Sequence, residues 1–513
     1  MELPLLNRAY EGDSAFVITD ANTIVLSDAA SHCGVKTNAA ERALPGPGEQ
    51  YRFHFDMTKC IGCKCCVVAC NEQNGNPADI LWRRVGEIEG GIYPNTQRHY
   101  LSMGCNHCVE PTCLTGCPVN AYDKDVMTGI VKHSADICIG CQYCTWNCSY
   151  GVPQYNPERG VVGKCDMCHG RLMHGQDPAC VNACPEDAIQ IEIVKIAEWR
   201  DQYQVNANSP GMPSADHSIS TTRITLPRRL AHDVGKVDLT NLRAEDPHWP
   251  LVIMTVLTQL SVGGFIAVWI SETLHAQAHR SAAVIALVIA LSALFSSTLH
   301  LGRPIHAIRA LKMWRRSWLS REVLMFTLFT GFASAYSLEL LLGAVAAPVL
   351  GGLTVLFGLG GVGASARLYL VPGRPAWNSP FTILEFFGTT ALLGAAVAEI
   401  CDGVPVNDGW LVIASALMVL TVSGLKTTWC ALSAVHELHS TWQLLSTALS
   451  KHFIVRFLLL AAGVLLLNAA EQQWAHIAGA LLVIAGEFVG RYLFFVSVVP
   501  TNMATGFLAQ EAA

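Results

Sequence analysis

Beyond residue 248 the 513-residue chain has almost no cysteine: Cys401 and Cys430 are there, and the other 18 of its 20 cysteines come earlier. Charge is scarce as well. Charged residues make up 14% and hydrophobic residues 51%, whereas about a quarter of an ordinary soluble protein is charged. A net charge of −6 gives no basic surface on which to expect nucleic acid. The opening segment MELPLLNRAYEGDSAF lacks a basic start followed by an apolar core, which reads against a secretory leader. No arginine pair near the start marks a twin-arginine signal. Disulfide frameworks belong mostly to small secreted domains, so these cysteines are expected to serve another purpose. The cysteine-rich half is expected either to stay in the cytoplasm or to cross the membrane with a partner that carries the signal.

Composition divides the chain into four parts. Residues 1–50 show no long apolar period and contain the turn Gly46-Pro47-Gly48, and they read as an extension lying on a partner. Residues 51–199 are punctuated by cysteine and carry short β-type runs such as Ile189 to Ile193. Residues 200–248 are polar and turn-rich, the pattern of a linker. From 249 to 513 long apolar runs alternate with short polar breaks. A membrane span needs roughly 20 apolar residues to cross about 30 Å of hydrocarbon. Eight runs qualify, at about 251–273, 282–301, 322–342, 346–370, 380–400, 409–427, 453–469 and 477–499. A buried helical core in a large soluble protein is the rival reading, and eight successive runs without amphipathic alternation count against it.

Sixteen of the cysteines fall into four groups. Cys60, Cys63, Cys66 and Cys70 follow C-x-x-C-x-x-C-x-x-x-C, and so do Cys138, Cys141, Cys144 and Cys148. Between them stand Cys105, Cys108, Cys113 and Cys117, followed by Pro118. Last come Cys165, Cys168, Cys180 and Cys184, followed by Pro185. In a 4Fe–4S cubane each iron takes one thiolate. Three close cysteines wrap three corners, and the fourth of such a run ligates the other cluster of a pair. Four groups therefore point to four clusters. Structural zinc also uses C-x-x-C pairs, but two pairs suffice for one metal, so zinc does not explain the three-plus-one runs. Cys33, Cys65, Cys401 and Cys430 remain as ordinary thiols; Cys65 adjoins Cys66, but only Cys66 keeps the spacing.

With these motifs in view, residues 51–195 resemble the four-cluster iron–sulfur subunit of the DMSO reductase family of molybdenum enzymes. The likeness rests on FDMTKCIGCKCCVVACNEQN, CNHCVEPTCLTGCPVNA, CIGCQYCTWNCSYGVPQYN and GKCDMCHGRLMHGQDPACVNACPEDAI. Residues 249–507 resemble that family's membrane anchor subunit, through HWPLVIMTVLTQLSVGGFI, STLHLGRPIHAIRAL, SREVLMF, NSPFTILEFF and GEFVGRYLFF. The chain thus looks like a fusion of two usually separate proteins. The implied fold is an α+β ferredoxin-like domain with four 4Fe–4S clusters, followed by an all-α polytopic membrane domain of eight transmembrane helices.

The resemblance further implies which cysteines share a cluster: Cys60, Cys63, Cys66 with Cys184; Cys165, Cys168, Cys180 with Cys70; Cys105, Cys108, Cys113 with Cys148; and Cys138, Cys141, Cys144 with Cys117. Related nitrate reductase subunits carry Trp at the position of Cys141 and a three-iron cluster there; Cys141 implies a cubane. Ser149 replaces the usual Pro, which touches a turn rather than a ligand. A separate catalytic subunit with a molybdopterin cofactor is implied as partner, since nothing in this chain supplies one.

Clusters also need an electron source or sink in the membrane, here a quinone, either menaquinone or ubiquinone. Ionisable residues at spans are functional candidates. His300 ends the second run and Glu322 begins the third, both on the same side as the cysteine-rich head by span counting. In the anchor family the matching His and Glu belong to the quinol site. Arg303 and Arg321 stand nearby, where they would orient a quinone oxygen or bind a lipid phosphate. His436 and His439 read as interfacial, and Glu385, Glu399 and Glu487 as helix–helix partners. The loop 302–321 carries Arg303, Arg309, Lys312, Arg315, Arg316 and Arg321, whereas the opposite loops carry Arg280 and little else, with Asp402 and Asp408 in one of them. The positive-inside rule then places the head on the cytoplasmic face of a prokaryotic inner membrane. A head that simply needs a basic dock would give the same pattern.

The leading expectation is a non-catalytic electron-transfer and anchor subunit linking quinone to a molybdopterin enzyme that reduces DMSO or a related S- or N-oxide. The alternatives are the equivalent subunit of a cytoplasm-facing sulfite dehydrogenase and, from another class, a redox-sensing or assembly membrane protein without a catalytic partner.

Overall fold

The computed structural model describes residues 16–20, 23–26, 44–206, 218–231, 233–237, 242–343, 347–400, 409–469 and 472–502. Cys33, Cys401, Asp402, Asp408 and most of the N-terminal extension lie outside the described residues. Within the extension, β1 (Phe16–Asp20) and β2 (Thr23–Leu26) pair antiparallel.

Along the head the order is β3 (Glu49–Asp56), α1 (Cys65–Asn74), β4 (Arg84–Gly90), β5 (Gln97–Met103), α2 (Thr112–Gly116), β6 (Tyr122–Lys124), β7 (Val131–His133), α3 (Tyr143–Asn147), β8 (Gln154–Asn156) and β9 (Val161–Gly163). It continues with α4 (His169–Met173), α5 (Ala179–Asn182), β10 (Ile189–Lys195), α6 (Ile196–Asn206), β11 (Arg223–Thr225) and β12 (Gly235–Lys236). β3 is the centre of one three-stranded sheet, antiparallel to β10 and parallel to β11. Side chains alternate across a strand, so Tyr51, Phe53 and Phe55 enter the core opposite Ile193, Ile191 and Ile189. On the outer face Arg52 pairs with Glu192 directly across the register, at 2.8 Å.

A second sheet sets the β4–β5 hairpin beside β12. β11 and β12 come from the stretch that composition marks as a linker. Strands of three and two residues carry too few alternating positions to register in a sequence, yet they tie residues 223–236 to the head.

The cysteine loops lie between these strands. Both C-I-G-C runs fold alike: Gly62 and Lys64 have φ of 71° and 60°, and Gly140 and Gln142 have 69° and 57°. The left-handed turn reverses the chain between successive cysteines. Glycine takes it without penalty, and the non-glycine residue carries a cost of order 1 kcal/mol that the surroundings must offset.

The second half contains α7 (Trp249–His275), α8 (Arg280–Leu299), a 3-10 helix (Pro304–Leu311), α9 (Trp318–Leu342), α10 (Ala347–Leu368), α11 (Pro380–Ile400), α12 (Trp410–Leu432), α13 (His436–Ser446), α14 (Ser450–Ala469) and α15 (Gln473–Val496). Eight of these are long and apolar enough to cross a membrane; α13 and the 3-10 helix are the short exceptions. α7 is the most enclosed of the eight. Gly263 on α7 meets Gly394 on α11, and Gly463 on α14 meets Gly479 on α15, so closely that a Cβ on any of them would press on facing backbone. Such small-residue contacts replace the hydrophobic drive that lipid removes. Lys426 bonds Glu385 across α12 and α11 at 2.8 Å, and Arg456 faces Glu487 across α14 and α15 at 3.4 Å.

Candidate metal centres and membrane cavity

The head gathers its sixteen grouped thiols into four sets. Cys60 has Cys63, Cys66 and Cys184 beside it. Cys70 has Cys168 and Cys180, and Cys165 has Cys70 and Cys180. Cys108 and Cys113 lie with Cys105 and Cys148. Cys141 and Cys144 lie with Cys117 and Cys138. The sets adjoin in a row. Cys66 reaches Cys180, Cys165 reaches Cys105, and buried Tyr122 stands between Cys113 and the pair Cys117 and Cys144.

The surroundings suit iron–sulfur cages. Burial pushes the Cys70 and Cys141 thiols up to about 12, so thiolates need a metal's positive charge to persist there. Backbone N–H groups donate to sulfur, from Ala121 to Cys117 at 3.3 Å, Gly140 to Cys138 at 3.4 Å, Met167 to Cys165 at 3.4 Å and Ala188 to Cys184 at 3.3 Å. Runs of three close cysteines plus a fourth fit a cube with one thiolate per iron better than tetrahedral zinc, for which two C-x-x-C pairs suffice. Cys65 is exposed on the rim of the first set, and Cys430 is buried in the membrane half.

The last set touches the membrane domain through a tight seam. Gly302 N bonds Gly140 O at 3.3 Å, Arg303 N bonds Ile139 O at 3.1 Å, and Tyr143 Oη donates to Leu368 O at 3.0 Å. A Cβ on Gly302 would overlap the Gly160 carbonyl, so glycine is required where the chain after α8 slips between two head loops.

Beneath the seam is a cavity of about 210 Å³ whose walls include Cys141, Tyr143, Trp146, His300, Glu322, Phe326 and Tyr369. The loop after α8 places His300 there, with Nε2 3.2 Å from the Cys141 carbonyl. The second turn of α9 brings in Glu322, which is buried. Arg303 is not on the cavity wall; its Nη1 donates to Ala135 O at 2.8 Å. Arg321 bonds the carbonyls of Trp314 and Arg315. His439 is held by Ala431 O and His436 by Ser440.

Sequence reasoning passed over His248, whose ring lies edge-on to His300 at 5.5 Å and to Trp146 at 5.4 Å. A histidine before Trp-Pro at the head-side start of a span mirrors His300 at the end of the next one, and that symmetry was the available signal. Trp146, between Cys144 and Cys148, also lies 6.2 Å from the His300 ring.

Such cysteine cages on a head seated over eight apolar helices define an iron–sulfur protein with a multi-pass membrane anchor. Residues 96–193 match the 4Fe-4S dicluster domain, and residues 244–496 match the DMSO reductase anchor subunit family. Over 177 residues the sequence is 38% identical to a polypeptide of the anaerobic dimethyl sulfoxide reductase of Haemophilus influenzae, covering 33% of this chain and 85% of that one. It is 32% identical over 250 residues to the formate dehydrogenase iron-sulfur subunit of the same organism, covering 43% and 78%. To a sulfite dehydrogenase subunit of Allochromatium vinosum it is 34% identical over 160 residues, covering 27% and 67%. The chain is a member of the DMSO reductase family, an iron–sulfur subunit and a membrane anchor subunit joined in one polypeptide.

Proposed function

We propose that this subunit carries electrons between a membrane quinone and a separate molybdopterin catalytic subunit that reduces DMSO or a related S- or N-oxide. The observation that carries the reading is the cavity itself: His300 and Glu322 share its wall with Cys141, a member of the last thiol set. A lipid-soluble ring held there lies next to the end of the row. Apolar cavities of about 150 Å³ hold benzene, so about 210 Å³ admits one substituted ring.

The sixteen cysteines of the four sets would hold four 4Fe–4S clusters, which pass single electrons along the head when bound. His300 and Glu322 would exchange the protons that accompany quinone chemistry. Because a carbonyl only accepts, the Cys141 contact puts the proton on His300 Nε2 and leaves Nδ1 as the acceptor in the neutral ring. Arg303 would steady the seam, with its charge felt by Cys138. Glu322, buried in an apolar wall, is placed to hand a proton between the ring and the seam.

The head would face the cytoplasm, on the strength of the basic loop 302–321. Part of that charge also serves docking, since Arg309 bonds Asp136 O and Arg316 bonds Asn120. A second reading, the same role in a sulfite dehydrogenase feeding quinone, draws on the Allochromatium vinosum relative.

Purification of the native complex with identification of its large subunit tests the proposal. A pterin-binding partner and cluster reduction by added quinol are expected. Isolation without a catalytic partner, with clusters that neither quinol nor quinone affects, would favour the sensor or assembly reading instead.

A further inference from the structure

Two fully enclosed cations stand among the thiol sets without an ion pair to any carboxylate among the described residues. Arg83, just before β4, is 2% exposed. Its Nη1 donates to Ser102 O at 3.4 Å and Ser102 Oγ at 3.2 Å, while Nε and Nη2 have no acceptor among the described residues. Its guanidinium lies 4.7 Å from the Phe53 ring centre. Ser102 Oγ, which accepts from it, lies 3.3 Å from Cys66 Sγ, and a Cβ on Gly104 would touch both Arg83 Nη2 and Cys165 Sγ; with Cys70 and Cys180 these thiols belong to two adjoining sets. Lys164, at the end of β9, is 3% exposed. Its Nζ donates to the carbonyls of Val131 and Cys165 and lies 3.7 Å from Cys105 Sγ. Cys105, Cys113 and Cys165 surround it, with Asp166 a weaker influence, so it marks the junction of the second and fourth groups.

An arginine stays charged in a protein, and a buried charge without a partner is strongly destabilising. The fold keeps both cations where the only concentrated negative charge is that of thiolates. A cubane held by four thiolates is an anion, and taking up one electron adds one more negative charge with no bond made or broken and no proton moved. A fixed cation beside it favours the reduced form, one of the levers that spread cluster potentials so widely.

We propose that Arg83 and Lys164 are potential-setting residues. Arg83 raises the reduction potential of the clusters built by Cys60, Cys63, Cys66 and Cys184 and by Cys70, Cys165, Cys168 and Cys180. Lys164 raises that of the latter and of its neighbour at Cys105, Cys108, Cys113 and Cys148. The inference rests on the four-cluster reading above.

The test is a redox titration followed by electron paramagnetic resonance on the membrane-bound complex, for the wild type, Arg83→Met, Arg83→Lys and Lys164→Met, each with its iron content measured. Arg83→Met is expected to weaken one-electron reduction of its two neighbouring clusters about tenfold, a shift of about 59 mV to lower potential. The cluster of Cys117, Cys138, Cys141 and Cys144 should not move, and Arg83→Lys should stay near wild type. If Arg83→Met fails to retain iron, Lys164→Met decides in the same way on its own two clusters. Full iron content with unmoved potentials, or an equal shift in every signal, would overturn the inference. Fewer than four signals in the wild type would sink the four-cluster reading itself, whatever the variants do.

Discussion

His300 Nε2 lies 3.2 Å from the carbonyl oxygen of Cys141. That one contact joins the end of the second membrane helix to a cysteine of the head, and it places an imidazole between an apolar cavity and a metal-binding loop. Replacing His300 by Leu keeps the volume and removes the proposed proton carrier. Cluster reduction by quinol should slow by about 100-fold or more, the usual range for loss of a general acid or base. Reduction by dithionite, read in the same sample from the visible absorbance, should be unaffected. Equal rates with quinol for variant and wild type would remove His300 from the proposal.

Cys184 stands beside Cys60 rather than beside Cys165, although it is a neighbour of Cys180 in sequence. Replacing Cys184 by Ser should therefore change the resonance signal of the cluster at Cys60, Cys63 and Cys66. The signal of the cluster at Cys165, Cys168 and Cys180 should persist. The reverse pattern would mean that each run closes its own cube.

Gly302 has no room for a side chain against the Gly160 carbonyl. Gly302→Ala should cost about 1–3 kcal/mol through overpacking and loosen the seam without touching a cysteine. The expected readout is a lower melting temperature in detergent and slower electron exchange with quinol, at full iron content. A variant with wild-type melting and wild-type exchange would show that the seam does not depend on this close approach.

Glu487 accepts from Thr389 Oγ1 at 2.6 Å and faces Arg456 at 3.4 Å inside the membrane domain. Glu487→Ala leaves Arg456 buried without its partner, a loss of about 3–5 kcal/mol. Thermal unfolding of the variant in lipid nanodiscs should show it. A melting temperature within error of wild type would mean that water already solvates Arg456.

Much of this architecture was open to reading from the residues. Eight apolar runs became eight long helices, because spans announce themselves by length and composition, and the ends moved by only a few residues. The four cysteine groups likewise marked the head. Other features were hidden for physical reasons. α13 has eleven residues with His436, Glu437, His439 and Gln443 among them, too short and too polar to stand out from a loop. β11 and β12 are held by partners far away in sequence, β3 and β4, and carry no periodicity of their own. Arg303 stood near His300 in the same stretch as a candidate for a quinone oxygen, yet the turn after α8 sends its side chain to Ala135 and not to the cavity wall. His248 was passed over as a site residue because its partner His300 lies 52 positions on, brought to it by the packing of α7 against α8, and only the mirrored placement of the two histidines at span ends hinted at the pair.

The most direct test of the whole account is chemical. Iron and acid-labile sulfide should be quantified on the purified full-length chain, kept free of oxygen throughout. The account predicts about sixteen irons and as many sulfides per polypeptide, four of each in every cube. A well-folded protein holding far less iron, or holding zinc without sulfide, would contradict it.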